Sequence, residues 1–539
     1  MIVIYNAKIY TLDDQRPVAS AIVIEDGRIL AVGEISEILA CYGGPLPWGA
    51  RPHLKDAGGL TIIPGLTDAH IHLEGYALNL SKVDCETATR QECLRRVAER
   101  VKITPAGQWI LGHGWNQNDW VEGFGSVADL DAISTTHPIY LTAKSLHAAW
   151  ANSLALKMAG VNSQTPDPSG GKVGRDEAGN PTGILFETAM ELVSSVIPEP
   201  EADEVARAIH SAIPRLWRMG VTGIHDFDRR RCFAALQILH QAGDLRLRVI
   251  KSIPLEGLPE AGKLGLRTGF GDDMLRIGSV KVFSDGALGP RTAAMLQPFE
   301  GEPDNRGILM MDAEELYEHG RAAVANGLSL AVHAIGDRAN HEVLNAFTQL
   351  RNYERETGVN LIGGKGNLRH RIEHVQLIHA DDAHRLAEQG IIASMQPIHA
   401  PSDMPMADRY WGKRSALAYA WRTQLEHGAR LAFGSDAPVE SPNPFLGLHA
   451  ALSRRRADGS PAPEGWYPEQ RLDMAQALRA YTGGPAFAAG LEDRLGKLAP
   501  GYLADMLILE KDPFQCAPDE LLEMQPLATM IGGEWVWES

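Results

Sequence analysis

The sequence predicts a parallel (β/α)₈ barrel, interrupted by one long insertion and accompanied by a small β-domain built from both chain ends. Three observations carry this. Between about residues 60 and 490, short apolar segments alternate with amphipathic helical stretches, the rhythm of strand and crossover helix in a parallel sheet. Eight such apolar segments can be counted, the number that closes a barrel. The two ends of the chain depart from that rhythm and resemble each other, each made of short strands broken by glycine turns.

Taken in order, residues 1–60 open with "MIVIYNAKIYTL" and continue with "SAIVIEDGRILAVG", in which Asp26-Gly27 between two apolar runs signals a hairpin. The eight strand segments follow: "TIIPGLTDAHIHL", "GVTGIHDF", "LRLRVIKSI", "SVKVFSDG", "LSLAVHAIGD", "LRHRIEHV", "IIASMQP" and "RLAFGSDAP". Stretches such as "MDAEELYEHGRAAVANG" and "ADDAHRLAEQG" have the apolar spacing of helices packed on a sheet. The gap from about 76 to 200 is too long for one helix. It holds "QWILGHGWNQNDW" and "HPIYLTAKSLHAAWANS" and reads as an insertion over the barrel mouth with strands of its own. The C-terminus returns to strands in "LADMLILEKDP" and "PLATMIGGEWVWES". Residues 1–60 and 490–539 are therefore expected to form one composite domain, and 61–489 the barrel with its insertion.

Composition narrows the function. A chain of 539 residues with 44% hydrophobic and 22% charged residues is a globular protein of more than one structural unit. Its net charge of -17 opposes binding to nucleic acid or to an anionic membrane, which leaves a small molecule as the expected partner, with a homodimer as the expected assembly. Five scattered cysteines without a C-x-x-C pair suggest neither a disulfide framework nor a thiolate zinc site, and fit a reducing cytoplasm. No apolar run approaches the ~20 residues that span a bilayer, and no export signal is visible.

Polar residues at the strand ends point to a metal. His70 and His72 end the first segment, Lys281 and Asp285 lie in the fourth, His333 ends the fifth, His374 the sixth and Asp436 the eighth. A barrel gathers the C-terminal ends of its strands on one face. Side chains at i and i+2 of a strand point the same way, so the imidazoles of "HIH" both point inward. Four histidines and an aspartate suit one or two divalent ions, zinc foremost. A lone H-x-H could equally be a hydrogen-bonded pair in a core; the convergent set of five is what carries the metal reading. Lys281 could pair with Asp285, or, buried among ligands, lose its charge and take up carbon dioxide to become a bridging carbamate. His225 and His399 are strand-end residues that could contact substrate or merely support the site. Trp109, Trp115, Trp120 and Trp150 could be insertion core or substrate wall.

The ordered motifs "PGLTDAHIHL", "WILGHGWNQNDW", "HAAWANS", "GNPTGILFETA", "GVTGIHD", "VKVFSDGALGPRTA", "VHAIGDRAN", "RIEHVQL", "ASMQPIH", "FGSDAPVE" and "LRAYTGGPA" resemble, over nearly the whole chain, the amidohydrolase superfamily, and within it the family 3 group that includes N-substituted formamide deformylase. The resemblance implies a metal-dependent hydrolase with a distorted (β/α)₈ barrel and a β-sandwich built from both termini. It makes His70, His72, His333, His374 and Asp436 metal ligands and Lys281 the candidate bridge of a two-metal site. One departure stands out: Ser145-Leu146 precede His147 where the family commonly has Asp-Gly, which bears on substrate contacts there.

The reaction expected is hydrolysis of a C–N bond in an amide, N-formyl or cyclic amide, with metal-activated water as nucleophile and Asp436 as the base that passes the proton to the leaving nitrogen. Trp115, His147, His225, Asp285 and His399 are the expected substrate contacts, a histidine among them holding the developing oxyanion. A deaminase or an ester or carbamate hydrolase would use the same apparatus. A metabolite-binding or regulatory protein on the same fold is the alternative of another class.

Overall fold

The structure is a computed structural model of the chain that describes residues 1–44, 51–117, 120–143, 148–358 and 368–539. Eight parallel strands pair in chain order: β1 (Leu66–Ile71), β2 (Val221–Asp226), β3 (Arg248–Pro254), β4 (Leu275–Phe283), β5 (Leu330–Ala334), β6 (Arg371–His374), β7 (Ile392–Met395) and β8 (Leu431–Phe433). Each of the eight predicted apolar segments supplies one of them. They read as near-continuous apolar runs because both faces of a parallel sheet are covered; every residue of β1, β2, β6, β7 and β8 is buried.

Beyond their last residues β8 and β1 also meet. A parallel bridge joins Ile71 to Ala437, the Asp436 N–H donates to the His70 carbonyl (2.7 Å) and the His72 N–H to the Ala437 carbonyl (2.8 Å). These bonds nearly close the barrel.

Strand alternation sorts the residues. Val280, Val282, Leu330, Val332, Ile372 and Phe433 pack in the large core that also takes Leu316, Val324, Val343 and Phe347 from the covering helices. Lys281, Arg371 and Glu373 are consequently on the opposite faces of their strands, inside the barrel. Helix Ala313–Ala325 is capped by Asp312, which accepts from the Glu314 and Glu315 amides, and helix Asp337–Thr357 ends on left-handed Gly358.

The chain ends form one continuous sheet. Its order is Glu534–Glu538, Pro526–Ile531, Met506–Leu509, Thr61–Pro64, Ile2–Tyr10, Val18–Glu25 and Arg28–Gly33, with His53–Asp56 also paired to Ile2–Tyr10. Ile4, Ile9, Ile22, Ile62, Met506, Ile508 and Met530 share its core. Asp26 and Gly27 (φ 48° and 75°) make the expected hairpin turn, as do Gly532 and Gly533 (φ 57° and 81°).

One expected strand is in fact two. Thr61–Pro64 pairs antiparallel with Met506–Leu509 in the terminal sheet, and only Leu66–Ile71 enters the barrel. Gly65 lets the chain step from one to the other: a Cβ there would lie 2.4 Å from Thr222 Oγ1.

The chain divides into two compact units, Met1–Tyr76 with Ile209–Ser539, and Ala77–Ala208. The second has a six-stranded sheet of its own, ordered Gly171–Arg175, Pro181–Glu187, Ala148–Ala151, Ile139–Ala143, Ile110–Trp115 and Val83–Asp84. Trp115, Trp120 and Trp150 fill its core. Among the described residues, no helix is long and apolar enough to cross a membrane.

Candidate metal centre

His70, His374 and Asp436 converge so that one ligand atom from each lies within 4.8 Å of the others. Asp436 Oδ1 is 3.5 Å from His70 Nε2 and 3.5 Å from His72 Nε2. That separation is too long for a hydrogen bond. It matches the roughly 3.3–3.5 Å edge of a tetrahedron of N and O ligands around an ion bonded at about 2.0–2.1 Å.

The imidazoles are also oriented as ligands need to be. His70 Nδ1 lies 2.6 Å from Glu373 Oε2, His72 Nδ1 3.0 Å from Asp228 Oδ1, and His374 Nδ1 2.8 Å from Gln396 Oε1. Each Nδ1 thus spends its N–H on a fixed oxygen and leaves Nε2 to the cavity. His70 Nε2 is buried without a hydrogen-bond partner, an orphan that a divalent ion would satisfy. His333 is turned the other way: its Nε2 donates to the Gly286 carbonyl (2.9 Å), leaving Nδ1 free, and its ring centroid is 4.6 Å from that of His374.

Burial disfavours the charged form of these rings. It pushes His70 and His374 well below the usual histidine range and His333 down to about 3, with the Lys281 charge helping at His70 and His333. At His72 burial works the same way, but the hydrogen bond and charge of Asp228 outweigh it and raise the pKa. Burial pushes Lys281, 4% exposed, down to about 8 against the attraction of Glu373 and Asp436. Its Nζ stands 4.8 Å from the Phe227 ring centroid and 4.9 Å from that of Phe283.

Two candidate ligands stand on unusual backbone. His374 (φ 76°) and Asp436 (φ 60°) are left-handed just where β6 ends and beyond β8, and β-branched Val375 follows at φ 43°. Such residues cost of order 1–3 kcal/mol each and gather where a site is held under constraint. Asp68 supplies part of the constraint. Its Oδ1 accepts from the His70 and Ser435 amides (both 3.0 Å) and its Oδ2 from the Ser435 hydroxyl, tying β1 to the turn that carries Asp436.

Of the residues expected to touch substrate, several have other work. Asp285 is 1% exposed, and its carboxylate accepts from the Ala294, Ile335 and Gly336 amides (2.9, 3.0 and 2.8 Å); it organises the loops behind His333 instead of pairing with Lys281. His225 is 2% exposed and takes a hydrogen bond from Arg371 at Nδ1 (2.7 Å). His399, 6% exposed, has its Nε2 2.9 Å from the Ser435 carbonyl, beside the Asp436 turn. Trp115 is 1% exposed in the core of the second unit, its indole N–H on the Leu141 carbonyl (2.8 Å). His147 lies outside the described residues.

Glu373, Asp228, Gln396 and Asp68 went unselected by sequence reasoning. The motif "RIEHVQL" contains Glu373 beside His374, and the alternation that points Arg371 inward points Glu373 there too, a signal that could have found it. A second carboxylate cluster, Asp226, Asp228 and Cys232, is already filled. Lys251 Nζ lies 2.8 Å from Asp226 Oδ2 and also donates to the Asp228 carbonyl, so the cluster braces His72.

The chain is similar to known proteins along nearly its whole length. The chain is 33% identical to LONG AFTER FAR-RED 3 of Arabidopsis thaliana, over 99% of this chain and 91% of that one. It is 29% identical to N-substituted formamide deformylase of Arthrobacter pascens, over 99% of this chain and 97% of that one. The crystal structure of a metal-dependent hydrolase from Pyrococcus furiosus superposes with a TM-score of 0.77 at 29% identity, covering 95% of this chain and 99% of that one. Residues 54–537 match the model of the amidohydrolase family, and with the eight-stranded barrel and the His–Asp constellation at its strand ends this chain belongs to that family.

Proposed function

We propose that the chain hydrolyses a non-peptide C–N bond of a small amide, N-formyl compound or cyclic amide, with zinc held by His70, His72, His374 and Asp436 and with His333 and Lys281 completing a two-ion form. The observation that carries this reading is the meeting of the His70 and His72 Nε2 atoms on one oxygen of Asp436 at 3.5 Å each. The likeness to N-substituted formamide deformylase supports the choice of bond.

The bound ion would supply Lewis acidity and lower the pKa of water to near neutrality. Asp436, its side chain 14% exposed, would take the proton of the attacking water and return it to the departing nitrogen. His70, His333 and His374, neutral through burial, offer lone pairs and no competing proton. Phe227, stacked on His70 with centroids 4.1 Å apart, walls one side of the site against water.

The test is metal analysis of the purified protein, then a panel of N-formyl amines, secondary amides, cyclic amides, esters and amino-heterocycles. Turnover of the C–N substrates, lost on chelation and restored by zinc, is the result expected. Turnover confined to esters or to deamination would move the bond class. Inactivity of fully metal-loaded protein on the whole panel would overturn the enzymatic reading.

A further inference from the structure

Inside the barrel, one layer below the metal ligands, Arg371 touches four strands. Its Nε donates to Glu373 Oε1 (2.5 Å) and its Nη2 to Glu373 Oε2 (3.0 Å), a two-pronged grip on one carboxylate from the same strand two residues away. Nη2 also reaches the Ala69 carbonyl of β1 (2.7 Å) and Ser394 Oγ of β7 (2.5 Å), while Nη1 donates to His225 Nδ1 of β2 (2.7 Å). Arg371, Glu373, His225 and Ser394 are 0–2% exposed, so no solvent substitutes for any of these bonds.

Donor counting fixes the protons. A guanidinium only donates, so both Glu373 oxygens and His225 Nδ1 are acceptors. The Ser394 hydroxyl also donates to this carboxylate, and Glu373 Oε2 lies 2.6 Å from His70 Nδ1, which must therefore carry its hydrogen and leave Nε2 as the lone-pair nitrogen.

We propose that Arg371 is a positioning residue that acts through Glu373 to fix the tautomer and ring orientation of His70, and so sets the affinity of the centre for its metal. The inference rests on the metal reading above. A guanidinium in that place explains why a carboxylate can be stationed under His70 at all, since the two prongs hold it at a fixed angle where a free glutamate would sample rotamers. It also explains the burial of His225: by accepting from Nη1 it holds the fork from the side opposite Glu373. Neutral Gln at 373 cannot replace the carboxylate, because its NH2 would face either a guanidinium N–H or the His70 N–H.

The experiment uses the full-length protein stripped of metal, with zinc affinity measured by competition against a chromophoric chelator and the visible spectrum of the cobalt-loaded form as a second readout. E373Q and R371M are each expected to weaken zinc roughly 10- to 100-fold, the range for removing a partner behind a ligand. Each should also shift the cobalt bands, and R371M/E373Q should be no weaker than the worse single variant. If R371M does not fold, R371K, which keeps a charge but loses the two-pronged grip, takes its place in the cycle. Affinities of both single variants within two-fold of the parent, or losses that simply multiply in the double variant, would overturn the coupling while leaving the metal reading intact. A parent protein that takes up no zinc or cobalt would overturn both.

Discussion

Replacing Asp505 by Ala should destabilise the protein by about 3–5 kcal/mol without removing any residue of the metal centre. Asp505 and Arg248 form a two-pronged ion pair (Nε–Oδ2 2.6 Å, Nη2–Oδ1 2.7 Å) whose side chains are only 5% and 3% exposed for Arg and Asp. Arg248 begins β3, whereas Asp505 precedes the Met506–Leu509 strand of the terminal sheet. The same aspartate also accepts from the Gly532 amide (2.8 Å), and its carbonyl from the Gly65 amide (3.0 Å) at the step between sheet and barrel. Burying such a pair can be near neutral overall, but removing one partner strands the other, a loss of about 3–5 kcal/mol. The orphaned Gly532 amide would add about 1 kcal/mol if the effects were independent, and they share one carboxylate, so the total stays near the range of the pair alone. Urea unfolding followed by tryptophan fluorescence measures this, since Trp217, Trp535 and Trp537 lie at or beside the terminal sheet. D505N, which keeps the shape and one acceptor, should fall between parent and D505A. A D505A midpoint within the error of the parent would refute the claim that this pair fastens β3 to the terminal sheet.

Asp436→Asn should lower turnover by about 10²- to 10⁴-fold while zinc content by elemental analysis stays close to the parent, because the amide keeps an oxygen but cannot take a proton; near-normal turnover would remove Asp436 as base. If Lys281 is carbamylated, native protein prepared with bicarbonate should bind two ions per chain and Lys281→Ala fewer, with short carboxylic acids partly restoring activity; one ion per chain at saturation in the parent would rule out the bridge. Deleting residues 500–539 removes the strand partner of Thr61–Pro64 and exposes its edge, so the truncated chain should aggregate or melt earlier in a thermal scan; unchanged melting and solubility would contradict that pairing.

The barrel was legible because its strands are buried on both faces, which writes each as an apolar run and leaves the polar exceptions conspicuous at the ends. His70, His72, His333, His374 and Asp436 could be chosen on that ground alone. The junction at Gly65 was not legible: "TIIPGLTDAHIHL" is apolar on both sides of the glycine, and only the proximity of Thr222 shows why no other residue stands there. Strand-end position also fails to report depth. His225 and Asp285 end strands as the ligands do, yet one is gripped by Arg371 and the other saturated by three backbone amides.

What the sequence hides most completely is what orients the ligands. Glu373 meets His70 across 303 residues and Asp228 meets His72 across 156, so no local spacing pairs them. Nor does residue type announce the left-handed backbone of His374 and Asp436, since glycine is the residue normally read as such a signal. The explanation lies in the closure of the barrel. The hydrogen bonds that join β8 to β1 run from the Asp436 amide to the His70 carbonyl and from the His72 amide to the Ala437 carbonyl. Three candidate ligands therefore stand on the backbone of the seam itself, and Asp68 clamps that seam through the His70 and Ser435 amides. The strain at Asp436 is held by the same bonds that hold β1 against β8. Loosening the seam and displacing the ligands are in this fold one event, and for that reason the geometry of the centre depends on residues such as Asp68 that never reach the cavity.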